Sequence, residues 1–176
     1  MRAKSLASVK VWDPLVRVLH WGLVASIAIT WIAGEAWLRT HETAGYAALG
    51  IVAVRMAWGV FGSMHARFDD FVSRPARVWR YAVDVVRARE VRHLGHNPLG
   101  GWMVLALLAS VVVTGLSGWL YTIDRFWGMA WVELLHRGSA WMMVGLIVLH
   151  VAGVLFTSLR HRENLIASML SGRKRP

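Results

Sequence analysis

Four long apolar runs dominate the pattern of hydrophobic and polar positions along the chain. They cover approximately residues 15–36, 42–62, 98–121 and 132–158. Each is long enough to cross about 30 Å of hydrocarbon, which takes about 20 residues in a helix. The pattern therefore predicts an all-α membrane protein, a four-transmembrane-helix bundle that forms a single domain over residues 1–176.

The connection between the second and third runs is too long to be a simple turn, since it covers residues 63–97. Its segment "RPARVWRYAVDVVRARE" places Val78, Tyr81, Ala82 and Val85 at helical spacing among arginines. This spacing predicts a cytoplasmic interfacial helix that lies on the inner membrane surface between spans 2 and 3. A solvated basic loop is the alternative.

Composition supports a membrane protein, because 56% of the 176 residues are hydrophobic. The net charge of +10 does not indicate a nucleic-acid partner, since the basic residues lie between apolar runs rather than on one soluble face. The chain has no cysteine, which excludes disulfides, iron–sulfur clusters held by thiolates and covalently attached c-type haem.

The distribution of Lys and Arg predicts the topology of the spans. The N-terminal segment up to Arg17, the long connection and the tail from Leu159 hold sixteen Lys and Arg residues, and the opposite face holds three. By the positive-inside rule, both termini are expected in the cytoplasm. A cleaved signal peptide is the alternative for the first run, but its length of about 22 residues favours an uncleaved anchor.

The eight histidines separate by predicted depth in the membrane. His65, His93 and His161 lie among charged residues of the cytoplasmic segments, and His96 near the third span is undecided. The other four lie close to the ends of spans: His20 and His150 at the cytoplasmic end, and His41 and His136 at the opposite end.

Spacing on the last span aligns its two histidines. His136 and His150 are 14 residues apart, which at about 100° per residue leaves them about 40° from alignment and about 21 Å apart along the axis. A single histidine in an apolar helix can be a hydrogen-bonded packing residue. Four histidines at matched depths instead indicate a functional pair at each end.

Neutral imidazole binds haem iron, zinc or copper. Zinc takes about four protein ligands, whereas each depth here offers two histidines and almost no acid. Two axial imidazoles suit a b-type haem, so two haems b are predicted. Arg17, three residues before His20, and Arg55, inside the second span, are candidate partners of haem propionates. Contact with lipid headgroups is the alternative role of Arg17.

Several motifs carry a resemblance to a known family. The segments "RVLHW", "HETAGY", "LGHNPLGG" and "ELLHRGSAWMMVGLIVLH" resemble the bacterial cytochrome b561 family and its relatives, the b-type cytochrome subunits of membrane-bound hydrogenases and formate dehydrogenases. The resemblance covers the chain from about Val11 to Leu165. Hydrogenase-type subunits are generally longer, which favours the compact b561 form.

The resemblance implies a bacterial inner-membrane protein whose four helices hold two haems b. It assigns His20 and His150 to the cytoplasmic-side haem, and His41 and His136 to the periplasmic-side haem. It also implies that ubiquinone or menaquinone reacts near the cytoplasmic haem, beside Asn97 and its neighbour His96. Electrons would be exchanged at the outer face with a periplasmic cytochrome c or another redox protein.

Other functions remain open at this point. Within the same architecture, some relatives resemble superoxide:quinone oxidoreductases, and Arg39, Arg125 and Arg137 near the outer mouth could attract that anion. A histidine relay in a proton or metal transporter is a second alternative. A purely structural anchor subunit is a third. The transporter is disfavoured because the acids near the spans all lie at the outer end, so no acidic chain crosses the bilayer.

Overall fold

A computed structural model of the protein describes residues 8–176, and all four predicted spans are helical in it. The helices are α1 (Pro14–Ala33), α2 (Leu38–Phe61), α3 (Phe68–Phe71), α4 (Pro75–Val86), α5 (Pro98–Tyr121), α6 (Ala130–Arg160) and α7 (Leu165–Ser171). Helices α1, α2, α5 and α6 are long and apolar enough to cross a membrane, which confirms the predicted fold class. Arg2 and Lys4, which contribute to the predicted topology, lie outside the described residues.

Side-chain caps and prolines fix where two of the spans begin. The Asp13 carboxylate accepts a hydrogen bond from the Val16 amide at 2.9 Å, and Pro14 occupies the first turn of α1. The Asn97 side-chain oxygen accepts from the Gly100 amide at 2.7 Å, and Pro98 occupies the first turn of α5. Both arrangements satisfy a free helix amide and preset the first helical residue.

The spans pack in a chain of neighbours: α1 on α2, α2 on α5, and α5 on α6. The buried core lies where α2, α5 and α6 meet and contains Val52, Leu108 and Met143. Within the part of the chain described here, the backbone of α6 makes no extensive close packing with α1 or α2. Side chains of α6 nevertheless meet those of the first two spans, since the ring centres of Trp31 on α1 and Trp141 on α6 are 5.1 Å apart. We call the end at which α1 begins and α6 ends the inner end, and the opposite end the outer end.

The long connection contains α4, so the helix predicted there is confirmed over the alternative of a loop. One face of α4 packs on α5, while Trp79 and Val86 remain exposed. The location of this helix on a membrane surface stays a prediction.

The two ends of the described chain meet at the inner end. Strand β1 (Val9–Lys10) pairs antiparallel with strand β2 (Arg173–Lys174). Gly172 lies just before β2, and its carbonyl accepts hydrogen bonds from the amides of Val11 and Trp12. This terminal clasp was not predicted, because strands of two residues leave no hydrophobic periodicity to detect.

Candidate functional site

The two histidines at the outer end face one another between α2 and α6. His41 lies in the first turn of α2 and His136 in the second turn of α6, and their ring centres are 6.1 Å apart with planes inclined at 67°. Two imidazoles that bind one metal from opposite sides, each at about 2 Å, have ring centres about 6 Å apart. The outer pair therefore has the separation of two axial ligands.

Hydrogen bonds define which nitrogen of each outer histidine is free. Nδ1 of His41 lies 2.9 Å from the carbonyl oxygen of Thr30 on α1. Nδ1 of His136 lies 3.0 Å from the carbonyl oxygen of Thr114 on α5. A carbonyl oxygen can only accept, so each Nδ1 donates its hydrogen and each Nε2 keeps a free lone pair. Metal-binding histidines are oriented in the same way.

Small residues of α5 let His136 approach closely. The Ser117 hydroxyl donates to the Thr114 carbonyl at 2.9 Å and lies 3.4 Å from Nδ1 of His136. A side chain at Gly118 would place its Cβ 3.0 Å from Cε1 and 3.2 Å from Nδ1 of His136. Sequence reasoning missed Thr30, Thr114, Ser117 and Gly118. The small residues on α5 at the depth of His136 were the feature of the sequence that could have indicated this close contact.

At the inner end, His20 on α1 and His150 on α6 are both half-buried. Nδ1 of His20 is buried and has no hydrogen-bond partner within residues 8–176. Arg17 lies one turn before His20 on α1. Its Nη1 donates to the carbonyl of Leu170, and its Nε is buried without a partner in the same range.

Arg55 is a buried cation near the inner end of α2, with 8% of its surface exposed. Its Nη2 donates to the carbonyl of Ala66 at 3.0 Å, and its guanidinium lies 5.3 Å from the ring centre of Phe68 and 6.0 Å from that of Phe71. Its Nη1 is buried and bonds to no other described residue. Arg55 therefore has a donor available for an anion or a carbonyl oxygen.

His96 lies between two aromatic rings beside this cation. Its ring centre is 4.8 Å from that of Trp12 and 4.7 Å from that of Phe71. Burial, reinforced by the positive charges of Arg55 and Lys174, lowers the pKa of His96 to about 3. His96 is therefore neutral at pH 7, and its buried Nδ1 has no partner among the described side chains and backbone.

Asn97 adjoins His96, but its side-chain oxygen caps α5. This oxygen is therefore held by the helix, and Asn97 fixes the position of the residues around it.

The residues at both ends fit the b-type haem expected from the sequence. The outer rings have the required separation. Arg17 and Arg55 each hold a buried N–H group with no partner in the described chain, which suits a propionate oxygen. No group of three or more His, Asp or Glu side chains within residues 8–176 could hold a metal ion. The chain thus offers paired imidazoles rather than a zinc site.

Comparisons with known proteins agree with this chemistry. The profile of a family described as prokaryotic cytochrome b561 matches residues 11–172. A probable Ni/Fe-hydrogenase B-type cytochrome subunit of Bradyrhizobium diazoefficiens is 23% identical, over 98% of this chain and 88% of that protein. A probable subunit of the same type from Cupriavidus necator is 25% identical, over 96% of this chain and 88% of that protein. No solved structure matches the chain.

Proposed function

The chain belongs to the prokaryotic cytochrome b561 family, and on that premise we propose that it carries electrons across the membrane through two haems b, one at each end of the bundle. Membership makes it a multi-pass bacterial membrane protein that transfers electrons by b-type haem. We propose, in addition, the number of haems, the reactants and the orientation of the protein in the membrane.

The geometry of the outer histidines carries this proposal. His41 and His136 would hold the outer haem through Nε2, while the carbonyls of Thr30 and Thr114 fix both rings through Nδ1. Haem b held by these two imidazoles would supply reversible one-electron transfer. The protein would therefore orient the haem, exclude water from it and set its reduction potential.

The inner haem would be held by His20 and His150. Arg17 lies one helical turn from His20, and its buried Nε–H, which has no partner in the described chain, would bind a propionate. Arg17 also bonds to the Leu170 carbonyl on α7. Its side chain is therefore held in place before any anion binds, which reduces the entropy lost on binding.

We place the reaction of membrane quinone, ubiquinone or menaquinone, beside His96 at the inner end. The rings of Trp12 and Phe71 pack beside His96 and would give a flat headgroup an apolar, aromatic surface there. Neutral His96, whose buried Nδ1 has no partner in the described chain, would donate a hydrogen bond to a quinone carbonyl oxygen. Because Asn97 caps α5, its part is to hold His96 at this position.

The electron partner would act at the outer end, as a periplasmic cytochrome c or another redox protein. The excess of Lys and Arg at the inner end, sixteen against three, supports an inner-membrane protein with both termini in the cytoplasm. The matched relatives are named as cytochrome subunits of hydrogenases. Their names support a redox protein as the partner of this chain.

Anaerobic reduction of the purified holo-protein by ubiquinol-1 or a menaquinol analogue tests the inner reaction. We expect His96→Phe to slow reduction by quinol at least tenfold and to leave reduction by dithionite unchanged. The matched control is His93→Phe, since His93 is exposed and three residues away. Equal rates for both variants would remove His96 from the reaction. If the protein alone oxidises superoxide and reduces quinone, the outer reactant is superoxide rather than a partner protein.

A further inference from the structure

The two histidine pairs differ in the hydrogen bonds that their ring nitrogens make. At the outer end, both Nδ1–H groups donate to main-chain carbonyls, at 2.9 Å for His41 and 3.0 Å for His136. An imidazole that donates its other N–H to an acceptor becomes a more basic ligand. A more basic ligand stabilises the oxidised iron, so the outer environment lowers the reduction potential of a haem bound there.

At the inner end, one of the two histidines lacks a hydrogen bond that would make it a more basic ligand. Nδ1 of His20 is buried and faces no acceptor within the described chain, residues 8–176. Its imidazole is consequently the less basic ligand. A haem bound by His20 is stabilised less in its oxidised form, and its reduction potential is higher.

Buried charge adds to the difference. Arg55 is buried near the inner end, and the negative charge of Asp13 offsets part of its positive charge. A positive charge in a poorly polarisable environment opposes the extra positive charge of oxidised iron. The second buried cation, Lys174, lies 3.9 Å from Glu163, a carboxylate that it shares with Arg92 at 3.1 Å.

The cations of the outer end have little comparable effect. Arg137 is exposed and lies 3.4 Å from the carboxylate of Glu133. Arg39 and Arg125 are also exposed. Water and salt screen such charges strongly.

The hydrogen bonds of the histidine rings and the buried charge of Arg55 both make the reduction potential higher at the inner end than at the outer end. We propose that Arg55 and the carbonyls of Thr30 and Thr114 separate the two potentials, so that the haem held by His20 and His150 has the higher one. This inference rests on the proposed function, because it requires one haem at each end. An electron that enters at the outer end then moves to the inner end with a favourable free energy.

An anaerobic potentiometric titration of the purified holo-protein, followed at the reduced haem absorption band without quinone, tests the assignment. We expect two waves in the unmodified protein. Arg55→Gln shifts the higher wave to lower potential and leaves the lower wave in place, and Arg55→Lys restores the higher wave because the charge is retained. Arg137→Gln is the matched control and moves neither wave.

A shift of the lower wave in Arg55→Gln, or no shift of either wave, would overturn the assignment. His150→Ala provides a second measurement that does not depend on the folding of an Arg55 variant. It retains the outer haem, whose single wave must coincide with the lower wave of the unmodified protein; coincidence with the higher wave overturns the inference. A reversed order with two haems per chain refutes the inference alone, whereas fewer than two haems refutes the proposed function as well.

Discussion

Substitution of Gly118 by alanine is expected to weaken the outer haem site selectively. The added Cβ would lie 3.0 Å from Cε1 and 3.2 Å from Nδ1 of His136, so the imidazole would have to shift by a few tenths of an ångström. The ring is held by the hydrogen bond from Nδ1 to the Thr114 carbonyl at 3.0 Å. The shift therefore strains that bond or moves Nε2 away from the metal.

The size of the effect follows from the role of such hydrogen bonds. Loss of a group that orients a metal ligand typically lowers metal affinity by about 10–100-fold. This corresponds to about 1.4–2.8 kcal/mol of binding free energy. The inner pair lies at the opposite end of α1 and α6, so its haem affinity is expected to remain unchanged.

Titration of the haem-free protein with haemin, with haem per chain counted after gel filtration, measures the effect. Gly145→Ala is the matched control, because Gly145 is exposed on α6 and a Cβ there meets no atom within 4 Å. We expect one weakened site in Gly118→Ala and two unchanged sites in Gly145→Ala. Unchanged affinity of both sites in Gly118→Ala would refute the placement of His136 as an axial ligand.

Four further substitutions have defined outcomes. His150→Ala should lose mainly the inner haem and His136→Ala mainly the outer haem, as counted by pyridine haemochrome; equal loss of both haems from either change would contradict the two pairs. Asp13→Ala should destabilise the protein in detergent by about 2–4 kcal/mol, because α1 loses its cap and the indole N–H of Trp58 loses its acceptor. Burial raises the pKa of Asp13, but its hydrogen bonds lower it more, so the net shift is downward. The stabilisation by Asp13 is therefore complete above the ordinary aspartate pKa of about 4 and is lost as the pH falls through the lowered value. Thermal unfolding from pH 3 to 7 measures this effect, and the stability of the variant should depend less on pH than that of the unmodified protein. Gly172→Ala should loosen the terminal clasp by about 1–2 kcal/mol, since Gly172 has a φ of +77°; faster proteolysis of the C-terminal tail would report it, and an unchanged rate would contradict it.

The helices and the histidine depths could be predicted from sequence because both follow from one-dimensional patterns. A run of about 20 apolar residues has few structural alternatives to a membrane span. The bounds of α5 agree with prediction, whereas α2 begins four residues before its predicted start. Arg39 and Glu42 lower the hydropathy there without interrupting the helix.

The surroundings of the histidines could not be predicted in the same way. The acceptors of His41 and His136 are main-chain carbonyls on other helices, and a carbonyl leaves no trace in residue identity. The enclosure of His96 by Trp12 and Phe71 joins three segments that are distant along the chain. Contacts of this kind depend on how the elements pack, which hydropathy and spacing do not determine.

The most direct test of two bis-histidine haems is a reduced-minus-oxidised absorption spectrum of the purified, detergent-solubilised protein, with a pyridine haemochrome assay for haem per chain. We predict two haems b per chain and a sharp reduced α band typical of low-spin coordination. Fewer than two haems per chain after expression with ample haem supply, or a high-spin spectrum, would contradict the proposed pairs of axial histidines.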